Sequence, residues 1–165
     1  MKTAIIPGSF DPITLGHLNI IRRAASIFDR VVVCVMKNSA KHYMFSTAER
    51  IELAERVTAR LPNVEVATTD LLLAEYAKQY ENPVVVKGLR AVSDFDYEFQ
   101  IALINKKMNP ELETLFLTSS EKYTFLSSTV VKEMAAYGAD LSEFAPSEII
   151  DDILEKTNSR RQTQQ

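Results

Sequence analysis

Cysteine is almost absent from this sequence, with Cys34 as the only example among 165 residues. A single cysteine cannot form an internal disulfide, so the sequence fits a reducing compartment and we expect a cytoplasmic protein. Long apolar runs are also missing, since runs such as Val31 to Met36 are far too short to cross a bilayer. Lys2 is followed by only a brief apolar stretch before Pro7, which predicts no secretory signal. We therefore expect no membrane association.

Basic residues are not in excess either. The chain has 19 Lys and Arg against 22 Asp and Glu, a formal charge of −3. A general nucleic-acid binder needs a basic excess, so no nucleic-acid partner is expected, although a local basic pocket is compatible with this balance. Hydrophobic residues make up 46% and charged residues 25%, which is typical of a globular protein, and the length fits one domain.

Several common catalytic signatures are missing from the sequence. It has no Gly-x-x-x-x-Gly-Lys-Ser/Thr sequence, which counts against a P-loop kinase. The first turn lacks the Gly-x-Gly-x-x-Gly fingerprint of dehydrogenases. No Cys/His cluster suggests zinc, and no Gly-x-Ser-x-Gly elbow suggests a hydrolase.

Short apolar runs rich in β-formers alternate with longer helical patterns. Five runs predict strands, and most are continuously apolar, as in strands buried on both faces. These runs are residues 3–6, 31–36, 64–67, 84–86 and 115–117. The alternation predicts a single α/β domain over residues 1–157: a Rossmann-like, doubly wound, parallel five-stranded sheet with flanking helices. The polar residues 158–165 are predicted to form a disordered tail.

Six helices are predicted from apolar stripes and capping residues. They are expected at residues 18–28, 46–61, 70–78, 94–107, 127–137 and 146–155. Ser46 begins a capping-box pattern with Glu49, and Asp70 and Asp94 are expected to cap the third and fourth helices. Ser127 or Ser128 is expected to start the fifth helix, and Gly138 is expected to end it.

Ligands of doubly wound sheets bind beyond the carboxyl ends of the strands. The loops that follow the first, second, fourth and fifth strands are therefore expected to meet at one crevice. In the first of these loops, Gly8 would permit an unusual backbone angle and Gly16 would let a ligand approach closely. His17, in the first turn of the next helix, would donate from a ring nitrogen to a phosphate oxygen, where free backbone N–H groups also favour phosphate. The alternative is a turn in which His17 only caps the helix.

The other loops add cations and hydroxyls. Lys37, Lys41 and His42 follow the second strand, although for any one lysine a solvated position is the alternative. The stretch Lys87-Gly88-Leu89-Arg90 predicts a phosphate clamp, because two cations flank a glycine at a strand end. The fifth-strand loop, 118–129, is rich in hydroxyls and precedes a helix that carries Lys132. Such groups would offset the repulsion between ATP and a phosphate-bearing acceptor.

A short acidic run lies at the predicted start of the fourth helix, with Asp94, Asp96 and Glu98. Three carboxylates in such a run could form a metal-binding cluster. A spacing of two scatters side chains around a helix, so for Asp94 and Asp96 a capped, solvated helix start is favoured over a metal site. Tyr97 and Phe99 are more typical of a core than of a substrate contact.

Three segments carry a resemblance to a known family. The Thr14-x-Gly16-His17 turn resembles the signature of the nucleotidyltransferase superfamily related to class I tRNA synthetases. Within that superfamily, PGSFDPITLGH (residues 7–17), KGLRAVSDFDYE (87–98) and LSSTVVKE (126–133) resemble the bacterial phosphopantetheine adenylyltransferases. The resemblance extends over nearly the whole chain, to about Ile153.

The resemblance implies that the adenylyl group of ATP is transferred to 4'-phosphopantetheine, giving dephospho-coenzyme A and pyrophosphate, the penultimate step of coenzyme A biosynthesis. It implies direct in-line attack without a covalent intermediate, and Mg²⁺ held mainly through the ATP phosphates rather than by protein ligands. It also implies a homo-oligomer, expected to be a hexamer, with coenzyme A as a feedback ligand.

The resemblance further assigns site residues. Catalytic roles fall to His17, Lys41 and Arg90. The ATP-binding residues would be Ser9, Phe10, His17, Gly88, Leu89, Arg90, Glu98, Tyr123, Thr124, Phe125, Leu126, Ser127, Ser128 and Thr129. The acceptor-binding residues would be Ser9, Lys41, Leu73, Lys87, Tyr97, Asn105 and Glu133.

The sequence departs from the family pattern at Lys87, where Arg is usual, at Thr129, where Ser is common, and at Ser9, where Thr is common. Lys87 keeps the charge but loses bidentate geometry, so weaker acceptor affinity is expected. The other two replacements keep the hydroxyl, and little change is expected from them.

Three alternatives remain. The chain could be another member of the superfamily, acting on nicotinate mononucleotide or making a CDP-alcohol, although the 87–98 stretch speaks against this. It could be a catalytically idle nucleotide-binding subunit, which would not need His17, Lys41 and Arg90 together. It could be an RNA-interacting relative of tRNA synthetases, but the net charge of −3 counts against this alternative.

Overall fold

The computed structural model describes residues 1–38 and 42–163, with only the backbone at Thr163. Within these residues five strands alternate with six α-helices. The strands are β1 (Thr3–Gly8), β2 (Arg30–Met36), β3 (Val64–Thr69), β4 (Pro83–Leu89) and β5 (Glu113–Thr118). The helices are α1 (Leu15–Ile27), α2 (Thr47–Thr58), α3 (Leu73–Tyr76), α4 (Val92–Met108), α5 (Ser128–Tyr137) and α6 (Ile150–Thr163). No helix in the described part of the chain is both long and apolar enough to span a membrane.

The strands form one parallel sheet in the order β3-β2-β1-β4-β5. The chain winds outward from β1 through β2 to β3 and then returns to β4 on the other side of β1, so the strand order reverses between β1 and β4. Pairing of β1 with β2 continues to Gly8 and Val35, whereas pairing of β1 with β4 stops at Ile5 and Val85. The strands β1 and β4 therefore separate towards their carboxyl ends, which is where such sheets bind ligands. The predicted fold class is confirmed.

Both faces of the central strands are covered. On one face, the side chains of α1, α2, α5 and α6 pack on alternate strand residues, which are Ala4, Ile6, Val31, Val33, Val35 and Val86. On the other face, residues of α3 and the turn after it pack on Ile5, Val32, Cys34 and Val85. Because β1 and β2 are buried on both sides, their sequences are continuously apolar rather than alternating.

Three of the predicted helix caps are confirmed. Ser46 Oγ accepts a hydrogen bond from the Glu49 N–H at 3.2 Å, and the Glu49 carboxylate accepts one from the Ser46 N–H at 2.6 Å. Ser127 Oγ accepts from the Val130 N–H at 3.2 Å and so begins α5. Gly138, with φ 74°, ends α5 in the left-handed conformation that glycine adopts most easily.

Two predicted caps are wrong. The helices α3 and α4 begin after Leu72 and Ala91, neither of which makes a side-chain cap. Asp70 instead pairs with Lys37 Nζ at 2.6 Å, across the ends of β2 and β3. Asp94 lies in the first turn of α4, where its carboxylate accepts from the Arg90 N–H at 3.3 Å. In both cases a basic side chain that lies nearby pairs with the carboxylate, which was predicted to cap the helix instead.

The ends of several helices also differ from the prediction. The helix α1 begins at Leu15 rather than Leu18, and α2 ends at Thr58 rather than Leu61. A single 3-10 turn at Ser147–Ile149 follows Pro146, and α6 then continues to Thr163 rather than ending at Glu155. Residues 158–163 are therefore helical, where a disordered tail was predicted.

The helix α4 is unusual because so little of it is buried. Among its 17 residues only Asn105 is buried. Its exposed apolar side chains are Val92, Phe95, Tyr97, Phe99, Leu103, Ile104 and Met108. The neighbouring edge strand β5 exposes Leu115 as well. Large apolar side chains exposed in this number on one helix are typical of an interaction site.

Candidate active site

A cavity of about 550 Å³ lies at the carboxyl ends of the strands, where β1 and β4 separate. The loops after β1, β2, β4 and β5 all contribute to its wall, as the sequence predicts. The wall residues predicted from the sequence are Ser9, Phe10, His17, Lys87, Gly88, Arg90, Glu98, Tyr123, Leu126, Ser127, Ser128 and Thr129. A much smaller cavity adjoins it and shares Lys87 and Glu98 with it, and Leu73 and Asn105 line this second space.

The remaining predicted site residues lie elsewhere or are not described. Leu89, Tyr97, Thr124, Phe125 and Glu133 line neither cavity. Tyr97 is 66% exposed and Phe125 58% exposed, so both are available to solvent or to a partner. Lys41, predicted to act on the reacting phosphates, lies outside the described residues.

His17 is held in a reciprocal cap at the start of α1. Its backbone N–H donates to Thr14 Oγ1 at 3.2 Å, and its ring Nδ1 accepts from the Thr14 backbone N–H at 3.0 Å. A backbone N–H can only donate, so Nδ1 must present its lone pair. In the neutral ring the proton is then on Nε2, which makes Nε2 the nitrogen that can donate to a ligand in the cavity.

The ring of His17 stays neutral at physiological pH. Burial, together with the positive charges of Arg90 and Lys87, lowers its pKa from 6.5 to about 4, and burial is the largest of these causes. Phe10 packs against the ring edge to face, with centroids 5.0 Å apart. His17 is therefore a fixed, uncharged hydrogen-bond donor on the cavity wall.

The turn before α1 has its unusual backbone angle at Phe10, not at Gly8. Phe10 has φ 49°, whereas Gly8 does not have a positive φ. A Cβ on Gly8 would lie 2.9 Å from the Phe10 ring, so glycine is needed there because the ring folds back over the strand end. The predicted conformational role of Gly8 was wrong, and its actual role is to make room.

The strand β4 delivers Lys87 and Arg90 to the cavity. A Cβ on Gly88 would lie 2.9 Å from the Ile20 side chain, so glycine lets β4 approach α1 closely between the two cations. Lys87 Nζ pairs with Glu98 at 3.1 Å, where the two cavities join. Arg90 pairs with Asp94 at 3.2 Å and donates to the Leu126 carbonyl at 2.9 Å, which ties β4 to the loop before α5.

The helix α5 begins at the cavity wall. Ser127 caps it, and Ser128 Oγ donates to the Pro12 carbonyl at 2.8 Å, which joins the α5 start to the turn before α1. Free N–H groups in the first turn of a helix favour a bound anion. The starts of α1 and α5 thus both border one space.

Sequence reasoning missed a buried carboxylate at the site. Asp11 is 3% exposed and accepts from the N–H groups of Met44 and Phe45 at 2.8 Å each. It also pairs with Lys132 of α5 at 3.2 Å. Its three partners lie 33, 34 and 121 residues away, so no local pattern signals this role. Asp11 therefore connects the turn before α1 to the segment before α2 and to the helix α5.

Sequence reasoning also missed Arg50, which is completely buried in α2. Its guanidinium donates to the carbonyl of Ser9 at 2.6 Å and to the carbonyl of Met36 at 3.1 Å. Arg50 lies on the core face of its helix, a position where an apolar residue is expected, and this mismatch was the available signal.

The family of the chain follows from its similarity to known proteins. Residues 5–134 match the model of the cytidylyltransferase-like family. A phosphopantetheine adenylyltransferase from Caldanaerobacter subterraneus subsp. tengcongensis is 54% identical over 156 residues, which covers 94% of this chain and 98% of the relative. One from Clostridium tetani is 49% identical, with 97% and 100% coverage.

A solved structure supports the fold alone. It is that of a candidate nicotinate-nucleotide adenylyltransferase from Vibrio parahaemolyticus, with a TM-score of 0.69, 20% identity and coverage of 94% of this chain and 96% of that one. Sequence similarity at this level does not extend to substrate, whereas the relatives at about half identity match end to end. The chain therefore belongs to the cytidylyltransferase-like family and, within it, to the phosphopantetheine adenylyltransferases.

Proposed function

We propose that this chain transfers the adenylyl group of ATP to 4'-phosphopantetheine, giving dephospho-coenzyme A and pyrophosphate, by direct in-line attack of the acceptor phosphate. This is the penultimate step of coenzyme A biosynthesis. The observation that carries the mechanism is the fixed, neutral His17, whose Nε2–H is the one ring donor left for a phosphate oxygen in the cavity. A donor fixed before the reaction stabilises charge that develops on the α-phosphate without reorganising.

The wall of the cavity supports transfer between two anions. Lys87, Arg90 and Lys132 all reach it, and each is paired with a carboxylate of the wall. Phosphate groups would compete with these carboxylates for the cations, so substrates bind by exchanging one ion pair for another. We assign Lys87 to the acceptor phosphate, and Ser9 and Lys41 to the reacting phosphates.

We assign ATP to the larger of the two adjoining cavities and the acceptor to the smaller one. Phe10, residues Gly88 to Arg90, Glu98 and residues 123–129 are assigned to ATP in the larger cavity and at its rim. Leu73, Tyr97, Asn105 and Glu133 are assigned to the pantetheine arm, for which the smaller cavity beside Lys87 is the entry. Coenzyme A, which contains both halves of the product, would fit the same space as a feedback ligand.

The absence of a covalent enzyme intermediate is supported by the state of the cysteine. Cys34 is fully buried on the opposite face of the sheet, and burial raises its pKa to about 11. A thiol of this kind is not a nucleophile at neutral pH. With the acceptor phosphate as the attacking group, as proposed, the two bound phosphates need only be aligned.

Magnesium fits this site through the nucleotide rather than through protein ligands. The carboxylates on the described cavity wall are Asp11, Asp94 and Glu98, and each is already paired with a cation. In the described part of the chain, no three His, Cys, Asp or Glu side chains form a metal-binding group. Mg²⁺ commonly binds through substrate phosphates and retained waters, where it neutralises negative charge.

The chain is proposed to act as a homohexamer in the cytoplasm, with no nucleic-acid or membrane partner. The support for self-association is the exposed apolar surface of α4 and β5, which a second copy would cover. The helix α4 also carries Glu98 and Asn105 of the site, so contacts made on its outer side would steady the residues on its inner side.

The test is pyrophosphate release by purified protein with ATP, Mg²⁺ and 4'-phosphopantetheine, with nicotinate mononucleotide as the control acceptor. We expect release only with phosphopantetheine, and dephospho-coenzyme A as the second product. Release only with the control acceptor would keep the chemistry and overturn the substrate. If folded protein releases no pyrophosphate with either acceptor, the result would favour a catalytically idle nucleotide-binding subunit.

A further inference from the structure

We propose that Arg50 is a positioning residue for adenylyl transfer, which clamps the carboxyl ends of β1 and β2 and thereby fixes Ser9 against the reacting phosphates. Arg50 lies in the first half of α2 and does not line the cavity. It would act on the reaction through Ser9, which does line it. Because Ser9 acts on phosphate only if the chain has the proposed activity, the inference rests on that proposed function.

The clamp is placed where the sheet ladder ends. The last registered pair between β1 and β2 is Gly8 with Val35, so Ser9 and Met36 occupy the place of the next pair. Their carbonyl oxygens both accept from Nη1 of Arg50, at 2.6 and 3.1 Å. One guanidinium nitrogen thus bridges the two strand ends beyond the last rung of the ladder.

Two further contacts hold the guanidinium in place. Nη2 donates to Thr47 Oγ1 at 3.0 Å, and the ring of Tyr43 lies 4.0 Å from the guanidinium carbon. Tyr43 also lines the cavity, so Arg50 supports the wall at two points, Ser9 and Tyr43. Only a planar fork with several donors can make these contacts at once, whereas a lysine offers one compact ammonium.

Arg50 breaks two local rules, which is typical of residues that serve function. A buried charge is costly unless it is paired, yet Arg50 has no carboxylate partner among the described residues, and its Nε has no hydrogen-bond partner there. A cation near the N-terminus of a helix also opposes the helix dipole. Lys87, Arg90 and Lys132 of the cavity wall, by contrast, each pair with a carboxylate.

The main test compares Arg50→Lys with wild type in the phosphopantetheine-dependent pyrophosphate assay. We expect kcat to fall by about tenfold to a hundredfold, because a small misplacement of a positioned group has effects of this size. ATP affinity, measured by calorimetry, should change by less than about threefold, since the positive charge remains. Arg56→Met is the matched control, because Arg56 is on the same helix and pairs with Asp152 away from the cavity, and it should leave kcat unchanged.

A double-mutant cycle tests the route through Ser9. If Arg50 acts by fixing Ser9, then Arg50→Lys should lower kcat by less than about threefold in the Ser9→Ala background, because coupled residues are not additive. Thr47→Ala, which removes one anchor of the fork, should lower kcat in the same direction as Arg50→Lys, and Thr47→Ser should not. This second pair decides the question even if Arg50→Lys does not fold.

The outcomes separate the two proposals. Wild-type kcat in folded Arg50→Lys, or identical kcat in Thr47→Ala and Thr47→Ser, would overturn the clamp while leaving the activity in place. Full additivity of Arg50→Lys and Ser9→Ala would overturn the route through Ser9. If wild type releases no pyrophosphate with phosphopantetheine, the proposed function is refuted, and the inference with it.

Discussion

The backbone N–H of Thr14 donates to the Nδ1 atom of His17 at 3.0 Å, and this contact decides which ring nitrogen carries the proton. The sequence left two interpretations open, a histidine that caps a helix and a histidine that donates to phosphate. Both are supported by the same geometry, since the capping contact uses Nδ1 and leaves Nε2–H for the ligand. Capping therefore prepares the histidine for the role proposed for it.

Replacing His17 with Asn should separate the two roles. The Asn side-chain oxygen can accept from the Thr14 N–H, so thermal stability should stay close to wild type. Turnover should fall by about 10²–10³, the usual loss when one transition-state donor is removed, with a modest change in ATP affinity. His17→Ala should lose as much turnover and also about 1 kcal/mol of stability, because the Thr14 backbone N–H loses its acceptor, although Thr14 Oγ1 still caps the helix. Unchanged turnover in His17→Ala would contradict the catalytic role.

The pH dependence of stability should report the neutral His17. Its pKa is about 4 in the folded protein and near 6.5 in the unfolded chain, so between these values only the unfolded chain binds the extra proton. The contribution of His17 is thus fully present above pH 6.5 and declines as the pH falls towards 4. The melting temperature of wild type should match that of His17→Asn above pH 6.5 and fall below it as the pH falls towards 4, because the asparagine side chain binds no proton. An NMR titration of His17 with a midpoint close to 6.5 would contradict the prediction.

Lys87 should affect the acceptor more than ATP. Lys87→Met should raise KM for phosphopantetheine several-fold, the expected cost of one charge-assisted contact, and should change KM for ATP little. Lys87→Arg restores the residue usual in the family and should lower KM for phosphopantetheine, because a guanidinium can bind phosphate with two bonds. Steady-state kinetics with each substrate varied in turn would measure both effects. The control is Lys122→Met, since Lys122 pairs with Glu143 and lines neither cavity.

The apolar surface of α4 should mediate self-association. Leu103 is 55% exposed on α4, and Leu103→Glu should shift the protein towards smaller species in analytical ultracentrifugation, because a carboxylate in an apolar interface must be desolvated. Ile27 is exposed to a similar degree, 61%, at the end of α1. Ile27→Glu is therefore the matched control and should leave the oligomeric state unchanged. The same distribution for both variants would place the interface elsewhere.

The end of α6 should support the segment before α2. The Arg160 guanidinium donates to the carbonyl of Tyr43, a residue of the cavity wall. Arg160→Met should therefore raise KM for ATP a few-fold, a shift of at most about 1 kcal/mol for an exposed contact. Arg161→Met removes the adjacent charge and should have no such effect. Equal KM values in the two variants would show that the Tyr43 contact does not matter for binding.

The sequence predicted the fold closely where the signal is local or periodic. Val31 to Met36 is continuously apolar because β2 is buried on both faces, and the capping pattern at Ser46 lies within four residues of sequence. The predictions failed where a carboxylate had a choice of partners. Asp70 pairs with Lys37 and Asp94 pairs with Arg90, and neither aspartate caps the helix that sequence spacing assigned to it.

The fold class and the family were determined by the sequence itself. Alternation of strands and helices permits few arrangements other than a doubly wound parallel sheet, and segments such as 7–17 and 87–98 are specific to one family. The position of the site at the strand ends follows from that topology. These properties depend on residues near one another in the chain.

Only the tertiary structure decided how the site is held together. Asp11 binds Met44, Phe45 and Lys132. Arg50 binds the carbonyls of Ser9 and Met36. These partners are too far apart in the sequence for any local pattern to indicate the contacts. The pKa of His17 likewise depends on burial and on Arg90 and Lys87, which are brought close by the return of the chain to β4. Such contacts form only when distant segments pack against each other, because a buried charge takes its partner from whichever segment folding places beside it.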